Sequence, residues 1–127
     1  MIGTSFIGFS RGQDQGPKAH AVNPATQEVM EPGYAAPSSA EVETAVQLAD
    51  QAFPSYRMLS AAARAEFLRA IATEIESVVD DIAARGTAET GLPDARLRGE
   101  TARTLGQLRL FAAMLDDGTW LDARIET

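Results

Sequence analysis

The side chains able to do chemistry in this chain are few and do not converge. His20 is the only histidine and there is no cysteine. That removes thiolate nucleophiles, disulfides and paired-histidine zinc sites, and leaves any Ser-His-Asp arrangement hanging on one ring. His20 lies in a predicted surface strand, where a structural or solvated role is the ordinary one. Asp80 with Asp81, and Asp116 with Asp117, are adjacent carboxylates. Neighbours on a helix point ~100° apart, so neither pair aims at one substrate atom; solvated helix faces or ends account for both.

Two further groups allow two readings each. Glu89-Thr90-Gly91-Leu92-Pro93 offers a glutamate as a base, or it is a helix terminator, which explains both Gly91 and Pro93. Arg98, Arg103 and Arg109, with Glu100 nearby, form an anion clamp or a salt-bridged helix surface. There is no G-x-G-x-x-G and no P-loop, so no local phosphate cradle is written in the chain. No residue is assigned as catalytic, cofactor-binding or metal-ligating on this pattern. Met30, Met58 and Met114 read as core filler.

The element that must position these groups runs from Ser60 to Pro93. Ser60 caps a helix in which Phe67, Leu68, Ile71, Ile75, Val78, Val79 and Ile82 recur in steps of three and four. One unbroken helix over 60–91 is therefore expected, with Ile71 and Ile75 buried and Gly91 as its stop. Before it, Ser38 and Glu41 have capping-box spacing. Val42, Ala45, Val46, Ala49, Ala52 and Phe53 then make one stripe of a helix over 38–59, and Pro54 should kink or break it. After Pro93, Asp94 caps a helix over 94–117 carrying Leu97, Thr101, Leu105, Leu108, Phe111, Ala112 and Leu115, and Gly118 ends it. Residues 119–127 read as the start of another strand. Residues 1–36 read as a small hairpin or meander, with strands at Thr4 to Phe9, Ala19 to Val22 and Glu28 to Glu31. Asn23-Pro24-Ala25-Thr26 turns between the last two, and Pro32-Gly33 closes the third.

With 127 residues, 45% of them hydrophobic, the chain suits one globular domain. A net charge of −7, from 18 acidic and 11 basic residues, disfavours nucleic acid and anionic membrane as partners. No run approaches the ~18 apolar residues of a membrane span, and the start lacks a secretory pattern. A cytoplasmic protein is the resulting expectation.

In order along the chain, His20-Ala21-Val22-Asn23-Pro24-Ala25-Thr26-Gln27-Glu28 resembles the entry segment of the aldehyde dehydrogenase superfamily. Ala45 to Phe53, Ala63-Arg64-Ala65 and Leu68 through Ile75 resemble its first two helices. Ala88-Glu89-Thr90-Gly91-Leu92-Pro93, then Gly99-Glu100, Arg103-Thr104, Gln107 through Ala112 and Trp120 through Ile125, resemble the α-ketoglutaric semialdehyde (2,5-dioxovalerate) dehydrogenase branch. The resemblance implies an α/β parent fold, of which this chain is mainly α: an N-terminal β-hairpin followed by three helices. It also implies NAD(P)-dependent oxidation of an aldehyde to an acid, in which a cysteine attacks the carbonyl and a glutamate activates water to release the thioester. In the family those parts lie downstream. The chain is thus expected to be an amino-terminal segment, inactive and without a cofactor alone, partnered by the rest of a homo-oligomeric enzyme. A self-contained helical interaction module and an inactive regulatory paralogue remain open as the other readings.

Overall fold

A computed structural model describes residues 2–122. The chain is mainly helical, with short N-terminal hairpins followed by helices, and it divides into two compact units. Met1–Met58 joins Ala88–Gly91 in the first, and Leu59–Thr87 joins Leu92–Thr127 in the second.

In the first unit, β1 (Phe6–Ile7) and β2 (Ser10–Arg11) form a tight antiparallel hairpin. The strand expected from Thr4 to Phe9 is shorter because Gly8, at φ 59°, turns the chain back at once. β3 (Lys18–Val22) pairs antiparallel with β4 (Val29–Ala35). Between them Asn23 Oδ1 accepts from the Ala25 amide at 2.9 Å and the Asn23 carbonyl from the Gln27 amide at 2.8 Å, as an asparagine turn should. Pro32-Gly33 does not end β4. Ala21 pairs with Met30 and Ala19 with Tyr34, so the register slips opposite His20 and the donor-less proline falls within the irregularity. The Gly3 carbonyl accepts from the Ala35 amide at 2.8 Å on β4. A Cβ on Gly3 would lie 1.9 Å from the Gly33 carbonyl oxygen, so only glycine fits that approach.

α1 (Ser39–Arg57) opens on the expected capping box: Glu41 N–H donates to Ser38 Oγ at 3.2 Å, and Ser38 N–H to Glu41 Oε2 at 2.7 Å. Pro54 does not break it. The bond proline forfeits falls in the last turn, and the helix closes at Met58, whose N–H donates to Ser55 O. No residue of α1 is fully buried. Its flank at Ala45, Leu48, Ala49 and Ala52, with Phe6, Ile7 and Phe9 of the first hairpin, lines an open apolar trough.

The single helix expected over 60–91 is two. α2 (Ala61–Ser77), capped by Ser60, ends at Val78, whose φ −120° and ψ 18° are not helical. α3 (Val79–Thr90) restarts with Asp80 and Asp81 in its first turn, where acids favour the positive end of the helix dipole. α4 (Asp94–Asp117) has Pro93, not Asp94, as its N-cap. The Pro93 carbonyl takes the Arg96 and Leu97 amides, leaving Asp94 inside the first turn. Gly118, at φ 70°, closes α4. Where a strand was expected, Thr119–Leu121 makes a 3-10 turn, and residues 123–127 lie outside those described.

Within the second unit α2 packs along α4. The pairs Arg69–Asp116 and Arg109–Glu76 show the two run antiparallel. The core between them is narrow. Ala65, Ala72, Leu105, Ala112 and Thr101 are buried, and Leu97 closes over Gly86 of α3. Ile71 and Ile75 are only half-buried, and Phe67 and Phe111 are about half exposed, because alanines let the helices approach while the larger residues project beside the seam. Met58, 80% exposed, and Met114 are likewise not core filler.

Candidate functional site

The motif Glu89-Thr90-Gly91 takes its surroundings from the β3–β4 hairpin of the first unit. Tyr34 lies on β4, and its hydroxyl donates to Glu89 Oε1 at 3.3 Å across 55 residues of sequence. Gly91, at φ 72°, turns the chain into the left-handed conformation that ends α3. Its Cα faces the ring of Pro24, which follows Asn23 in the turn; a Cβ there would lie 3.1 Å from Pro24 Cγ. The terminator reading thus holds for Gly91, and the Glu89 carboxylate ties the helix end to the hairpin.

His20 sits on the same hairpin, about one-third exposed, with its ring against Gly33. Nδ1 is 3.4 Å from the Met30 carbonyl oxygen and 3.6 Å from Glu31 Oε1. Those neighbours are acceptors, and among the described residues no hydroxyl or thiol is bonded to the ring, so the histidine fills the register slip of the strand pair.

The other carboxylates and the arginines are paired on helix surfaces of the second unit. Arg98 bridges Asp94 at 2.7 Å and Asp80 at 2.6 Å, and Asp94 first, then Asp80, raises the affinity of the guanidinium for its proton. Arg109 takes Glu76 at 2.5 Å, Arg69 takes Asp116, and Arg96 takes Glu100 at 2.6 Å. Arg103 is exposed and pairs with no carboxylate among the described residues. An anion clamp needs these forks to converge on open space; here Arg98 and Arg109 are each committed to neighbours. Exposed pairs of this kind contribute little to stability, because solvent and salt screen them. Asp117 folds back onto the Thr119 hydroxyl. Among the described residues no three His, Asp or Glu side chains gather to hold a metal ion, and no helix is long and apolar enough to cross a membrane.

The starts of the three long helices carry side-chain caps or acids. The link from β4 to α1 is Ala36-Pro37-Ser38 rather than a glycine-rich turn. The first turn of α1 holds the Glu41 carboxylate, to which the Ser38 amide donates. The Ser60 hydroxyl occupies the corresponding turn of α2, and Asp94 stands in that of α4.

Two contributors escaped the sequence reading. Tyr34 carries no local signal, since its partner is distant in the chain. Glu41 was legible as a cap but not as the acceptor for the Gln13 amide at 2.7 Å.

The hairpin entry, the Ser38-capped helix and the Glu-Thr-Gly stop seated on the Asn-Pro turn all fall within the stretch that sequence comparison matches. The aldehyde dehydrogenase family profile matches residues 11–123, and the chain belongs to that family. It is 44% identical over 99% of its length to "Alpha-ketoglutaric semialdehyde dehydrogenase 2" of Azospirillum brasilense. It is also 38% identical over 98% of its length to "Alpha-ketoglutaric semialdehyde dehydrogenase" of Acinetobacter baylyi. A Bacillus subtilis protein of that second name is 42% identical over 63% of the chain. The chain spans 23%, 24% and 17% of these three relatives respectively, so it matches about a quarter or less of each.

Proposed function

We propose that the chain is the amino-terminal part of an NAD(P)-dependent aldehyde dehydrogenase that oxidises 2,5-dioxovalerate (α-ketoglutaric semialdehyde) to 2-oxoglutarate. The observation that carries this reading is the identity to a semialdehyde dehydrogenase along nearly the whole chain. In this reading the rest of a homo-oligomeric, cytoplasmic enzyme supplies the attacking cysteine, the water-activating glutamate and the dinucleotide site. The residues present here contribute framework: the hairpin that seats the Glu89–Gly91 helix end, and the α2–α4 pair. The chain by itself has no thiol with which to form the covalent intermediate, and in this reading it neither oxidises aldehydes nor binds the cofactor.

The test uses the whole encoded enzyme. Reduced-nicotinamide absorbance should rise with 2,5-dioxovalerate, and kcat/KM should exceed that for N-succinylglutamate 5-semialdehyde, the compound named for a less extensive relative. A preference for the latter would overturn the substrate assignment. Saturable NADP binding by the 127-residue chain in calorimetry would overturn the assignment of the cofactor site elsewhere.

A further inference from the structure

We draw no further inference here: the strongest candidate, the open apolar groove of the second unit lined by Ile75, Ile82, Leu97, Thr101 and Thr104, carries nothing because nothing in the structure shows what covers it.

Discussion

The backbone N–H of Gln13 donates to Oε1 of Glu41 at 2.7 Å, joining the loop after β2 to the first turn of α1. The other oxygen of the same carboxylate accepts from the Ser38 amide at 2.7 Å and the Ser38 hydroxyl at 2.9 Å. One ionised group therefore caps a helix and fastens a loop 28 residues earlier.

Its protonation has a predictable sign. The Gln13 bond first, then the Ser38 bonds, hold the Glu41 carboxyl below its ordinary value of 4.5. A carboxyl depressed in the folded state adds stability that is present above its unfolded pKa and is lost as pH falls through the folded one. The start of α1 and the Gln13 loop should therefore loosen together below that ordinary value. The protection factor of the Gln13 amide, its exchange relative to a free peptide at the same pH, should fall on acidification in the parent sequence. In Glu41→Gln that protection should be low already at neutral pH and change little with acid. Equal acid dependence in the two proteins would show that Glu41 is not the responsible group.

Gly91 is predicted to matter for folding and not for turnover. At φ 72° an alanine is strained, and its Cβ would press on the Pro24 ring at 3.1 Å. Gly91→Ala should destabilise the protein by about 1 kcal/mol or more. Denaturant titration of the proposed whole enzyme measures that loss, and kcat per folded molecule should be unchanged. Lost kcat at unchanged stability would return Glu89-Thr90-Gly91 to consideration as an active-site element.

These outcomes trace how far the sequence was legible. Most caps and stops were, Asp94 excepted, since Ser38 with Glu41, Asn23, Gly91 and Gly118 act through bonds or dihedrals set within a few residues. The break at Val78 was not, because the apolar steps of three and four continue through it while only the backbone changes. Pro32-Gly33 misled for the opposite reason: a local breaker was absorbed by a register slip against a strand 12 residues away. Counting large apolar residues likewise overstated the core, since Ala65, Ala72 and Ala112 form the seam. Of the site candidates, the helix stop was legible in its spacing, whereas the Tyr34–Glu89 bond across 55 positions left no periodic trace.

Gly3 gives a sharper steric test than Gly91. Its missing side chain admits the Gly33 carbonyl, which a Cβ would meet at 1.9 Å, and its own carbonyl holds the Ala35 amide. Both obstructing atoms are backbone and cannot swing aside. Gly3→Ala should therefore detach the N-terminal segment from β4, with Ala35 losing its exchange protection while amides in the middle of α4 keep theirs. Retained protection at Ala35 would mean that the segment is not held by this approach.

The exposed apolar faces make the last prediction, and they separate a segment of a larger enzyme from a self-sufficient module. In the first unit Val42, Val46 and Phe53 of α1 are at least half exposed, and Phe9 is fully exposed. In the second, Phe67, Leu110 and Phe111 are about half exposed, and the best-buried side chains are alanines. Fully burying one large apolar side chain contributes about 1.5–3 kcal/mol. Leaving many of them half wet thus withholds a large share of what usually offsets chain entropy. Monomers seldom expose contiguous apolar patches beyond a few hundred Å². The 127-residue chain alone should therefore bind a hydrophobic dye, self-associate in sedimentation, or melt without a sharp transition. In the proposed reading, the whole enzyme should show a cooperative melt and little dye binding, since its remaining residues would cover these faces. A monodisperse chain with a cooperative melt and no dye signal would contradict the segment reading and favour an independent helical module.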